Sequence, residues 1–422
     1  MKRLIRTVAV AWILGLALCG FGYWWSLDAP PPDTSDLRVE RPEIPEEENG
    51  WTYFVRAAEA VDIPEDTYSS ERVWQLLDGE IWDEALAREL FERNEEAFEL
   101  WQKGLDCTTA VMSREEALDL DCRPPFSRMR NLAMLASLRA EYDHRQGRDE
   151  EAFADGLRVV RYGHWIQGAK GPLVNYLVGT ALGATGCGQL REMLPDAELA
   201  ADRMKSYVEQ LGRYIPTGEA LADSHRVEYA WMARFFAEDG LFAEADVKWS
   251  KGVASFLYHR NRTIRMLARL ARGHIRNAPW VYADRVLPEM PEIPDFEDPL
   301  MNLKLVLKRN PIARLLVVMT WSALEAYHDD KCELELQVSA TRVLMALKAY
   351  KAENDALPES LGDLVPEYIA EVPRDPYDGE RLRYSREKKI IYSVGEDLED
   401  GGGAPEGTEE GQGADPTFRI AF

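Results

Sequence analysis

The residue types that carry acid–base and nucleophilic chemistry are thinly spread in this chain. His144, His164, His225, His259, His274 and His328 are its six histidines, and no two of them stand one helical turn apart. No G-x-S-x-G nucleophile elbow, H-E-x-x-H zinc motif or phosphate-cradling loop occurs. Ser385 and Lys388 satisfy S-x-x-K, but they fall on a predicted hairpin and not at the start of a helix. His225 and Glu228 share one helical turn and are the remaining acid–base pair. A packed histidine or a surface ion pair explains them more simply, so no catalytic residue is assigned.

The arrangement of charge says more. The chain carries 74 acidic and 50 basic residues, a formal charge of −24. That excludes a general nucleic-acid binder, because phosphate binding needs a basic field. Yet from Lys251 to Ala283 there is no acidic residue, and Arg262, Arg265, Arg269, Arg272 and Arg276 follow at spacings of 3, 4, 3 and 4. At about 100° per residue these arginines share one helical face, with Ile264, Leu267, Ala268, Ala271 and Ile275 on another. Such a helix either neutralises acidic surface of its own molecule, or it docks onto anionic lipid headgroups or an acidic partner.

Of the five cysteines, Cys107 and Cys122 each follow Leu-Asp within one loop-like segment. They are expected to pair as a disulfide if the body is exported. Cys187 lies among glycines and Cys332 on a charged helix, neither with the spacing of metal ligands. Zinc is not expected.

The elements that hold these groups start with an apolar segment. Lys2, Arg3 and Arg6 precede an uncharged run from Thr7 to Leu27, which as a helix is about 31 Å long and matches a hydrocarbon core of about 30 Å. Tyr23, Trp24 and Trp25 close the run as an interfacial belt, and acidic residues begin at Asp28. Residues 1–27 therefore read as a single-pass inner-membrane anchor with the body in the periplasm. A cleaved signal segment is the rival and exports the body equally. Residues 28–50, rich in proline and acid, read as a stalk. Residues 51–283 show helical periodicity, with a helix over 83–103 and a helix pair over 128–145 and 149–166 broken at Gly147. The spacing of Ala140, Gly147 and Ala152 recurs in Ala233, Gly240 and Ala245, which resembles a tetratricopeptide hairpin. Gly179, Gly183, Gly186 and Gly188 predict close helix–helix packing. Residues 284–309 form a proline-rich linker, and 310–422 a long helix followed by a small α+β domain with strands 381–385 and 389–394. The fold class is mainly α: an irregular array of helical hairpins after a membrane helix, with a small C-terminal α+β domain.

The C-terminal segments ALKAYKAENDALPESLGDLV, DPYDGERLRYS and IIYSVGEDLEDGGG, in that order, resemble the globular domain of the major pseudopilin of type II secretion over about 80 residues. Asp375, Pro376, Tyr384, Tyr392, Ser393, Gly395 and Asp397 carry the resemblance. It departs at the front of the chain: Trp25 stands where that family has a glutamate, and some 300 other residues precede the module. The resemblance implies a helix leading into a hairpin, and a calcium ion in the acidic loop. Asp397 and Asp415 match the family's carboxylate positions, and Asp400 is an additional candidate. A hard cation gathering six to eight oxygens relieves the repulsion among such acids.

Two function classes follow. The first is a membrane-anchored envelope scaffold or assembly protein that binds other proteins and is linked to type II secretion or pilus-like machinery. The alternative is an exported hydrolase whose catalytic groups meet only in the fold of the helical domain.

Overall fold

The computed structural model describes residues 20–63, 67–119, 124–237, 258–286, 288–289, 310–321, 326–403 and 415–422. The chain divides into two units: residues 1–38, 228–275 and 287–325 make the first, and residues 39–227, 276–286 and 326–422 the second. The described residues are mainly helical, with one three-stranded antiparallel sheet. The apolar run ahead of Gly20 lies outside them, and among them no helix is long and apolar enough to cross a membrane.

In chain order the helices are α1 (Gly50–Glu59), α2 (Thr67–Leu77), α3 (Glu84–Arg93), α4 (Glu95–Asp106), α5 (Arg114–Leu118), α6 (Phe126–Arg145), α7 (Asp149–Gly168), α8 (Leu173–Met193), α9 (Ala201–Gly212), α10 (Gly218–Ala237), α11 (Arg260–Asn277), α12 (Pro311–Trp321) and α13 (Ala326–Asn354). Strands β1 (Arg383–Ser385), β2 (Ile390–Tyr392) and β3 (Thr417–Arg419) follow. Local chemistry sets several of the boundaries. Asn49 and Asp83 cap α1 and α3 by accepting the N–H groups of Trp51 and Leu86. Ser113 and Glu116 form a reciprocal capping box on α5. Gly147 turns the chain between α6 and α7 at φ +72°, where a side chain would be strained. Gly240 and Ala245, the second copy of that spacing, lie outside the described residues.

The helix predicted over 83–103 is two helices, α3 and α4, meeting at Asn94. That side chain is fully buried. Its amide donates to the carbonyls of Leu90 and Asp62, and its oxygen accepts the N–H of Asp62. A distant loop is thereby tied into the break, a partner that periodicity alone cannot show.

Helices α7 and α8 pack backbone to backbone. A methyl group on Gly163 would lie 2.4 Å from the nitrogen of Gly183, and one on Gly179 would lie 2.6 Å from the Gly163 carbonyl oxygen. The seam continues where a methyl on Gly186 would meet Val160 N at 2.8 Å. Close packing was the expectation for Gly179, Gly183, Gly186 and Gly188; the first three meet it, while a methyl on Gly188 would find nothing within 4 Å. Helix α13 packs on α8 and α9, with Leu334 over Gly183. Its Lys348 ammonium donates to the carbonyls of Leu194, Pro195 and Ala197, satisfying orphan acceptors just beyond the end of α8.

The long helix expected from residue 310 is described as two, α12 and α13, with residues 322–325 outside the described set. The hairpin is shorter than its apolar pattern, pairing Arg383 with Tyr392 and Ser385 with Ile390. Strand β3, unmarked in the sequence after its acidic run, pairs with β2. Most of the expected linker, 290–309, lies outside the described residues.

Candidate functional site

In the second unit α3, α4, α6, α7 and α9 enclose an open groove of about 940 Å³. Its floor is aromatic. Phe91 and Phe98 lie edge to face at 6.5 Å, and the Arg139 guanidinium sits 4.0 Å above the Phe98 ring. Arg139 also donates to both oxygens of Asp155, at 2.6 and 3.2 Å, and Arg158 donates to the same carboxylate. With its side chain only 4% exposed, Asp155 is a buried acid fully served by two guanidinium groups. The rim is acidic: Glu92, Glu95, Glu99 and Glu151 are exposed around the opening. Counting every lining side chain, seven acids face four bases. Its lining is aromatic at the floor and net acidic at the mouth, a surface complementary in charge to a cationic group.

The arginine stripe lies on α11. Within the first unit Arg272 forms a bidentate pair with Asp36, at 2.7 and 2.8 Å, and also reaches the Asp33 carbonyl. The hydrogen bond to Asp36 raises the Arg272 pKa. Arg265 donates to the carbonyl of Pro30 at 3.0 Å. The backbone N–H of Arg262 donates to Asp28. Arg269 and Arg276 are exposed. Residues 28–36 of the expected stalk are thus laid along this helix. In the second unit, Arg41 of the same proline-rich stretch donates to the carbonyls of Met112 and Lys170.

In the C-terminal module Asp375 is the hub. Fully buried, it accepts from the Tyr377 N–H, the Ser393 hydroxyl, the Val394 N–H and the Arg383 guanidinium, all between 2.8 and 3.0 Å. The Asp-Pro turn and the Tyr-Ser segment were picked out in the sequence, and here they are tied to one carboxylate. The three metal candidates do not converge. Asp415 is buried and accepts the N–H groups of Gly401 and Gly403. Asp397 is exposed and accepts the Glu399 N–H, while Asp400 accepts the Gly402 N–H and lies 3.4 Å from Arg383. Among the described residues no group of three or more His, Cys, Asp or Glu side chains is placed to hold a metal ion. Residues 404–414 of the loop lie outside the described set.

Helix α13 also carries a pair that the sequence reading passed over. His328 and Cys332 stand one turn apart, with Cys332 Sγ 3.7 Å from His328 Nδ1. His328 Nε2 lies 3.2 Å from the Trp280 carbonyl, which assigns the proton to Nε2 and leaves Nδ1 to accept the thiol. Burial pushes the Cys332 pKa up to about 12 and that of His328 down to about 4. Both are therefore neutral near pH 7, and this is no thiolate–imidazolium nucleophile. The spacing of the two residues was visible; their burial was not.

Other candidates are placed as follows. Ser385 accepts the Lys388 N–H across the hairpin turn, which makes S-x-x-K a turn contact here. His225 is buried on α10. Cys187 is buried in α8, and burial raises its pKa to about 11. Cys107 is half-buried with its Sγ 3.3 Å from the Lys103 carbonyl; its expected partner Cys122 lies outside the described residues. No protein-family model, curated protein or solved structure matches this chain.

Proposed function

We propose that the chain is a scaffold or assembly protein of the cell envelope, held in the inner membrane by residues 1–27 with its body in the periplasm. In this reading the helical array takes a cationic polypeptide segment of a partner. The observation that carries it is the open groove between helices, with Phe91 and Phe98 beneath a rim of glutamates. Aromatic anchors surrounded by complementary charge are what a peptide-binding surface needs. The C-terminal module, with its order of helix, Asp375 turn and hairpin, supports a contact with secretion or pilus-like machinery. Calcium belongs to this reading through the pseudopilin resemblance alone, with Asp397, Asp400 and Asp415 as its candidate ligands.

The test is photo-cross-linking from position 95 of the full chain in its native membrane. An adduct is expected that disappears when Glu92→Lys and Glu99→Lys reverse the rim charge. An adduct unchanged by that reversal removes the groove from the proposal, and a C-terminal reporter found in the cytosol removes the envelope. For calcium, an unchanged melting temperature between millimolar calcium and chelator retires the ion.

A further inference from the structure

We infer that helix α11 rests on anionic phospholipid headgroups, with Arg265 and Arg269 as the contacting groups. This rests on the reading of residues 1–27 as a membrane segment and adds a second, electrostatic point of attachment to it.

The starting observation is where α11 begins. His259 Nε2 lies 2.9 Å from the Trp25 carbonyl, and the His259 N–H donates to Asn310 at 2.8 Å. Asp28 caps the helix from outside it: one carboxylate oxygen accepts the Asn261 N–H at 2.6 Å and the other the Arg262 N–H at 3.1 Å. Asn261 also donates to the carbonyl of Ala29 at 2.8 Å. The first turn of the arginine helix is therefore fastened to the residues at which the apolar run ends. Along the helix, Arg269 is only about 14 Å from Arg260 at 1.5 Å per residue. A tether this short holds the arginines at high effective concentration beside any surface the apolar segment enters.

Next comes what α11 presents. Leu267, Ala268, Leu270 and Ala271 are buried, so its apolar stripe is already in use and cannot enter lipid. On the arginine face, Arg265 and Arg269 are exposed. Intramolecular neutralisation accounts for Arg272, which has Asp36. Arg265 has a neutral carbonyl, and among the described residues Arg269 has no acidic partner. In a chain of net charge −24 such a surface is the exception. An anionic leaflet would repel the bulk of the body and attract this face.

The tether also selects the occupant. Phe21, Tyr23, Trp24 and Leu27 are 52, 69, 54 and 44% exposed, a cluster of large side chains suited to an interface, directly ahead of the residues that hold α11. Continuity with that cluster favours headgroups over an acidic protein.

The experiment uses the full chain reconstituted in phosphatidylcholine vesicles that contain a photoactivatable phosphatidylglycerol. Adducts are mapped to residues 20–27 and 260–275. Adducts on both segments are expected, those on 260–275 alone being suppressed by high salt. Each arginine near an anionic surface favours docking by about fivefold, so the combined Arg265→Gln and Arg269→Gln variant is expected to lose α11 docking by roughly 25-fold while keeping its adducts at 20–27. Adducts at 20–27 with none on α11, or α11 adducts indifferent to the double variant, overturn the docking. Loss of both sets overturns the membrane segment itself.

Discussion

Helices α7 and α8 approach until the backbones of Gly163 and Gly183 touch, with the Gln167 amide donating to the Thr180 hydroxyl across the contact. The C-terminal sheet is closed the other way, around a buried carboxylate that four donors converge on. The glycine seam gains its stability from dispersion between surfaces that fit, so it fails when atoms are added. The Asp375 hub fails when atoms are removed, because its donors are left buried and unpaired. Helix α13 lies on the seam through Leu334 and carries the titratable His328, so it links the comparison to pH.

Removing the hub should have the largest effect. Asp375→Ala is expected to destabilise the full chain by about 3–5 kcal/mol, since Arg383 loses a buried partner along with three other donors. Chemical denaturation measures it, and a loss below about 1 kcal/mol would make the hub ornamental. Acid should come next, through His328. Above pH 6.5, its ordinary pKa, both folded and unfolded states are neutral there and nothing changes. Between 6.5 and about 4 the unfolded chain takes up a proton that the folded one refuses. Stability is therefore lost as pH falls through that window, by at most about 1.4 kcal/mol per pH unit from this group. The His328→Gln variant should show a shallower acid limb in pH-dependent melting.

On the seam, Gly163→Ala is expected to cost about 1–3 kcal/mol by forcing α7 and α8 apart. Gly188 sharpens the contrast, because a methyl there meets nothing within 4 Å. Gly188→Ala should stabilise by about 0.5–1 kcal/mol through reduced backbone freedom in the unfolded chain. Equal effects at the two positions would mean that the glycines matter for flexibility and not for approach.

What could be read beforehand follows the same division. The seam was legible because glycines at helical spacing mark close approach whatever the partner. Helix periodicity, the Gly147 turn and the hairpin were legible because their causes are local. Asn94, which splits one predicted helix, was not, since its partner Asp62 lies a loop away. Nor was the pairing of Arg139 with Asp155 in the groove, or the bonding of Asp415 to glycine N–H groups in place of gathering with Asp397 and Asp400. A polar side chain chooses its partner in three dimensions and leaves no period behind. The arginine stripe sits between these cases: its face was evident, whereas the assignment of Arg272 to Asp36 needed the fold.

The cap on α11 also bears on the order in which the molecule is made. Asp28 leaves the ribosome 233 residues ahead of the Asn261 N–H it must accept. At about 5–20 residues per second that is a wait of roughly 10–50 s. Helices α1 to α10 are all synthesised within that interval. They can collapse on one another while Asp28 is still hydrated, and the arginine helix is then fastened after them, onto a strap laid down before any of them.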